Sequence, residues 1–261
     1  MTERQYAKLS KDERVAILTI DNPPVNMISR PVVDDLQSAL EEAWSDDDTK
    51  VIVITGGGQM AFVAGADINA ILQLKTPADA KQIVTEVHQL FLKIEDSPKP
   101  IIAAINGHCL GAGIELAMAC HMRIANNRAM FGQPEIGLGI IPGFGGTQRL
   151  ARLLGKAKAL ELILTGDRIT GAEAASLGLV NKAVPGTEVM KTAVGLAKKI
   201  SSFGGPSITA ALESVTQGLR VTLSEGLEIE TDKFSSLVET EDMGEGLSAF
   251  LEKRQPKFQD K

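Results

Sequence analysis

Three glycine-rich turns, at residues 56–66, 107–113 and 143–146, punctuate the first 150 residues of this chain. Each is read as following a strand. VIVIT, 51–55, runs into GGG, and IIAAI, 101–105, runs into the loop before GAGIELA. Glycine tolerates positive φ and lets another group approach the backbone closely. A chain with such turns between short apolar runs is constrained to strands that end in exposed backbone N–H groups rather than in long hairpins. The turn at 56–66 holds FVAGADI, Phe62–Ile68, with a single carboxylate, no histidine and no nucleophile. Its chemistry therefore has to come from the backbone.

The elements between the turns read as α/β. VAILTI with Asp21 predicts a strand over 14–20, broken by NPPVN, whose prolines lack an N–H. Val33, Leu36, Leu40, Ala43 and Trp44 recur at helical spacing from Pro31 to Trp44. Thr76-Pro77 is a helix start, an N-cap followed by proline at the first helical position. That helix is expected to reach about Asp96, with Ile83, Val87, Leu90, Phe91 and Ile94 on one face and Pro98 and Pro100 beyond its end. IELAMAC reads as a helix and MRIA, 122–125, as a strand. GFGGTQRL, 143–150, is a glycine loop opening onto a helix with Leu150, Leu153 and Leu154. Thr170 and Glu173 form a capping-box pattern. From about 187 to Arg254 the pattern is helical, in four segments. The chain divides into an α/β body, residues 1–200, and a helical tail, 201–261.

With 261 residues, 44% hydrophobic and 23% charged, the chain has material for a sizeable core. A net charge of -6 argues against wholesale binding of nucleic acid or anionic membrane. Cys109 and Cys120 fit no metal or redox spacing and are expected as buried free thiols. His88, His108 and His121 make no ligand pattern, so no metal site is expected. With neither a signal-peptide pattern at the first residues nor a run of 18 apolar residues, the expected location is cytoplasmic, with no membrane partner.

Two helices open directly after glycine turns, at AGADI and at GAGIELA. The first N–H groups of a helix lack internal partners and sit at its positive end. Two such groups converging from separate turns make an oxyanion hole. Two carboxylates follow: Glu115, among Ile114, Leu116, Ala117, Met118 and Ala119, and Glu135, after Gly-Gln-Pro and before Ile136-Gly-Leu-Gly-Ile-Ile. Apolar surroundings raise a carboxyl pKa toward neutrality, which suits acid–base work. A paired structural ion or a surface charge is the alternative for either one. Asp67 reads as a helix cap, His108 as a core or loop residue, and Arg149 as a salt-bridge partner or helix-end residue.

Taken in order, NPPVN, AFVAGADI, INGHCLGAGIELAMAC, FGQPEIGLGIIPGFGGTQRL and TEDMGEGLSAFLEKRQPKF resemble the signatures of the crotonase family, on its enoyl-CoA hydratase branch. The resemblance covers nearly the whole chain. It implies a spiral of ββα units with a C-terminal helical region that makes trimers, often paired into hexamers. It implies an oxyanion hole from the N–H groups of Ala66 and Ala112, and Glu115 and Glu135 as the catalytic pair. In that branch the first glutamate holds and activates water and the second exchanges the proton at Cα. The coenzyme A and acyl path would involve Val25, Ala64, Ala66, Asp67, Ile68, Asn69, Gly111, Pro142 and Gly143. Phe234, Phe250 and Lys253 would reach the site of a neighbouring subunit. No cofactor is implied, because the substrate carries its own coenzyme A.

The sequence departs from the family pattern in two places. Ala112 stands where glycine is usual, and Asn69 where lysine is common. The implied reaction is addition of water to a short- or medium-chain 2-enoyl-CoA thioester. Enoyl-CoA isomerisation, hydration of a cyclic dienoyl-CoA and dehydration of a 3-hydroxyacyl-CoA use the same scaffold. An inactive oligomeric module is a further alternative. So is RNA binding, for which Lys191, Lys198 and Lys199 are the best local candidates.

Overall fold

A computed structural model describes residues 4–261. Its elements come as repeated strand–strand–helix turns. The first turn is β1 (Ala7–Asp12), β2 (Val15–Ile20) and α1 (Arg30–Ser45). The second is β3 (Val51–Gly56), β4 (Ala61–Ala64), α2 (Ile68–Leu72) and α3 (Pro77–Glu95). The third is β5 (Ile101–Ile105), β6 (His108–Leu110) and α4 (Ala112–Ala119). The fourth is β7 (Met122–Asn126), β8 (Met130–Gly132), a 3-10 turn (Pro134–Leu138) and α5 (Gly146–Thr165). β9 (Arg168–Thr170), α6 (Gly171–Ser176) and β10 (Lys182–Val184) complete the body, and α7 (Val189–Ser201) packs against it.

In the second, third and fourth turns the first strand joins one sheet and the second strand another. The larger sheet has the order β1-β2-β3-β5-β7-β10 and is parallel except for the β1–β2 pair. The smaller sheet, β4-β6-β8-β9, is parallel except for β8–β9. VIVITG and IIAAI are buried along their whole length, as strands covered on both faces are. Their alternation shows which residue meets which layer. Ile52, Ile54, Ile101, Ala103 and Ile105 enter the main core with α1, α3 and α4. Val51, Val53, Ile102 and Ala104 face the opposite way, onto Val189, Ala193 and Ala197 of α7.

Caps behave as their residue types dictate. Thr76 and Thr170 each close a capping box, with Asp79 and Glu173, and Asp67 accepts from the Asn69 N–H at the start of α2. Trp44 packs against the main core, and its indole N–H donates to Ser97 Oγ at 2.7 Å, tying α1 to the end of α3. The tail is α8 (Gly205–Gly218), α9 (Leu223–Ser236) and α10 (Glu241–Glu252), so with α7 the four expected helical segments are present. No helix among the described residues is long and apolar enough to cross a membrane.

Three expectations need correction. The turns at 56–66 and 107–113 are not bare backbone, because they contain β4 and β6, whose partners lie in other turns of the spiral. The glycines at 143–146 follow the 3-10 turn, not a strand. Ile83 is not on the buried face of α3, since it lies toward the free end of the helix and is 39% exposed. The helix after GFGG, α5, does contain Leu150, Leu153 and Leu154, and it is kinked just beyond them at Gly155, which has φ 78°.

Candidate active site

α4 is buried throughout its eight residues, which is why a glutamate in its first turn is notable. Glu115 is 1% exposed. Its Oε1 accepts two backbone N–H groups from the glycine loop, Phe144 at 2.8 Å and Gly146 at 2.7 Å. Gly146 is the first residue of α5, so that donor also carries the positive end of a helix. Burial pushes the Glu115 carboxyl up to about 7. The two N–H donors and Arg149 pull it down, and the neighbouring Glu135 pushes it further up.

Glu135 sits on the 3-10 turn, half-buried, and burial raises its pKa as well. Its carboxylate comes close to the start of α4: a Cβ at Gly111 would stand 2.6 Å from Glu135 Oε1 and 3.4 Å from Gly65 Cα. Gly111 also has φ +53°. Only glycine fits there, and its absent side chain brings three segments together: the end of β4, the start of α4 and the 3-10 turn. The Gly65 N–H donates to the Leu110 carbonyl at 2.8 Å, at the end of β6, and the Gly111 N–H to the Gly132 carbonyl at 3.0 Å, at the end of β8 just before the 3-10 turn.

Ala66 and Ala112 each follow one of these glycines. Ala66 forms a parallel bridge with Ile28, in which the Gly65 carbonyl and the Asp67 N–H bond Ile28. By strand alternation the Ala66 N–H points away from that bridge. Ala112 is the first residue of α4, where helical N–H groups have no internal acceptor. Neither N–H has a partner among the described residues.

The other candidates divide into two groups. Val25 accepts from the Ala64 N–H, and Asp67, Ile68 and Asn69 form the partly exposed start of α2 beside Ala66. Pro142 is buried and Gly143 half-buried, next to the loop that holds Glu115. Phe234 and Phe250 are 67% and 81% exposed on α9 and α10, and Lys253 is the exposed C-cap of α10. None of these three is linked by a hydrogen bond to the carboxylates within this chain.

Two residues near the carboxylates carried no signal of their own in the sequence. Gln133 is fully buried. With its amide nitrogen turned toward Glu135, it donates to both carboxylate oxygens at 3.2 Å. Its place between a glycine and Pro134, two residues from a candidate acid, was the available clue. His88 contacts the glycine loop from α3, 55 residues away in sequence. His108 is an exposed residue of β6, and its Nδ1 accepts from the Met130 N–H. Cys109 and Cys120 are buried free thiols, and burial drives the thiol of Cys120 up to about 12. Two of the three lysines offered for RNA are compensated locally: Lys198 bridges Asp12 and Glu13, and Lys191 lies 3.9 Å from Glu188. No group of three or more His, Cys, Asp or Glu among the described residues is placed to hold a metal ion.

Comparison with known proteins adds to this geometry. The profile of the enoyl-CoA hydratase/isomerase family matches residues 10–261. The chain belongs to that family. A probable enoyl-CoA hydratase of Bacillus subtilis is 45% identical over 251 residues, covering 96% of this chain and 97% of the relative. A crotonyl-CoA hydratase of Syntrophomonas wolfei is 40% identical over 251 residues, covering 96% of each chain. The crystal structure of an enoyl-CoA hydratase from Bacillus anthracis superposes with a TM-score of 0.94 at 37% identity, covering 98% of this chain and all of the other. The two-sheet spiral with its helical tail is thus the crotonase fold of the enoyl-CoA hydratase/isomerase family.

Proposed function

We propose that this member of the family is an enoyl-CoA hydratase acting on short- or medium-chain 2-enoyl-CoA thioesters. The observation that carries this reading is the pairing of Glu115, buried with one oxygen held by two N–H groups, with Glu135 across the Gly111 contact. Both carboxyls have pKa values raised by burial, as acid–base catalysts working near neutral pH require.

The thioester carbonyl accepts from the N–H groups of Ala66 and Ala112. That contact draws electron density from Cβ and stabilises the enolate oxygen as water adds. Losing one such donor in comparable sites costs roughly 3–4 kcal/mol of barrier. Glu115, as carboxylate, holds the water and takes up its proton as the oxygen bonds Cβ. Glu135, as carboxylic acid, delivers a proton to Cα. One group must be ionised and the other protonated, and the N–H donors on Glu115 favour its charge. The exposed apolar residues Leu138 and Ile141, which follow Glu135, supply a surface for the acyl chain. The name of the Syntrophomonas wolfei relative supports a four-carbon acyl group. The tail residues Phe234, Phe250 and Lys253 serve a neighbouring subunit in a trimer or a dimer of trimers. The substrate brings the coenzyme A, and the residues named need no further cofactor.

The test follows the loss of conjugated-thioester absorbance with crotonyl-CoA, wild type beside Glu135→Gln. We expect rapid loss in the wild type and a fall of about 100- to 10,000-fold in the variant, the usual worth of a general acid–base. A wild type inert toward crotonyl-CoA and its longer straight-chain homologues sinks the assignment. Activity on cyclic dienoyl-CoA or in isomerisation would then replace it.

A further inference from the structure

One face of α3 grips the loop that holds Glu115. His88, Phe91 and Glu95 stand at i, i+3 and i+7, a single stripe of the helix. The Phe91 ring meets Phe144 edge to face, with centroids 6.3 Å apart. Glu95 bonds the Arg149 guanidinium at 2.9 Å, and Arg149 in turn donates to the Phe144 carbonyl at 3.3 Å. His88 Nε2 lies 2.8 Å from the Gly143 carbonyl oxygen. A carbonyl oxygen can only accept, so Nε2 carries the proton in this bond.

The Gly143 carbonyl and the Phe144 N–H are the two ends of one peptide group. In a trans peptide they point in opposite directions within one plane. His88 therefore grips one end of the plane whose other end donates to Glu115 Oε1 at 2.8 Å. A donor on the carbonyl fixes the plane's rotation and polarises the amide, making its N–H a stronger donor. We propose that His88 is a positioning residue which, through the single peptide group Gly143–Phe144, aims and strengthens the hydrogen bond that holds the Glu115 carboxylate. Its role in turnover rests on the hydratase reading, whereas its effect on Glu115 in the free protein does not. The charged groups acting on Glu115 besides this N–H are Glu135 and Arg149. His88 also lines a cavity of about 690 Å³ with Glu95, Gly145, Arg149, Arg152 and Arg220.

The experiment compares His88→Leu, which removes the donor, His88→Asn, which is too short to reach, and His88→Gln, which can restore an N–H near the same place. Each is checked for a cooperative thermal transition. Two readouts are taken: kcat, KM and their pH profiles with crotonyl-CoA, and infrared titration of the Glu115 carboxyl in the unliganded protein, assigned by its loss in Glu115→Gln. We expect Leu and Asn to lower kcat about tenfold with KM unchanged, as loss of one hydrogen bond to a charged group's holder would. The infrared midpoint of Glu115 should rise, because the lost N–H favoured the ionised form. Gln should restore both. Folded Leu and Asn variants with wild-type kcat and midpoint overturn the proposal, as does a Gln variant as impaired as Leu. An inert wild type with a shifted infrared midpoint in Leu and Asn would overturn the hydratase reading and leave this one standing.

Discussion

A carboxyl that is 1% exposed and yet must ionise sets a conflict within one residue. Glu115 titrates at about 7 in the folded protein against an ordinary 4.5. Between those two values the native state binds a proton that the unfolded state has released, so stability falls as pH rises through that window. That difference corresponds to about 3 kcal/mol, lost fully above the folded pKa. Glu115→Gln keeps an oxygen for the Phe144 and Gly146 N–H groups and carries no charge. We therefore expect its melting temperature to exceed that of the wild type at pH 8, with the gap closing toward pH 4.5, while activity collapses. A gap that does not change with pH would refute the linkage. At this scale the sequence was informative: Glu115 in a wholly apolar helix and Glu135 in a glycine-flanked turn were both visible as candidates. Gln133 and His88 were not, because their relevance comes from a through-space contact, and a lone polar residue on a helix has no pattern to betray it.

For the elements, the decisive contact is between α4 and β4. A Cβ at Gly113 would stand 2.0 Å from the Val63 carbonyl oxygen, and this obstacle is backbone, not a side chain that can turn away. Gly113→Ala should cost about 3 kcal/mol, at or above the upper end of ordinary overpacking, and lower the melting temperature accordingly. A stability within about 0.5 kcal/mol of the wild type, the range of a harmless surface change, would mean that α4 can slide off β4 without penalty. The larger sheet was legible because VIVIT and IIAAI are continuous apolar runs between breakers. The smaller sheet was not. Its strands β6, β8 and β9 have three residues each and β4 has four, too short for a two-residue period to stand out. Their partners are some 20 to 50 residues away, so a local reading folded β4 and β6 into the glycine turns around them and passed over β8 and β9.

For the whole molecule, the tail leaves apolar surface uncovered. Leu219, Leu223, Phe250 and Leu251 are each at least 80% exposed. Groups of such residues on neighbouring helices mark an interaction surface more often than a solvated one. In the trimeric reading, native mass spectrometry should give three or six times the chain mass. Replacing Phe250 and Leu251 together with lysine should shift the population to monomers and reduce activity, since Phe250 is assigned to a neighbour's site. A monomeric wild type with full activity would remove that assignment. The helical character of the tail was plain from its periodicity, but which of its faces meets another chain was not, because buried and interfacial leucines look alike in a sequence.

The chain has one tryptophan, Trp44, fixed by its bond to Ser97 at the junction of α1 and α3. All indole emission therefore comes from that one junction, which lies outside the Glu115–Glu135 constellation. The fluorescence of the protein is therefore a built-in gauge of whether the α1–α3 junction is folded.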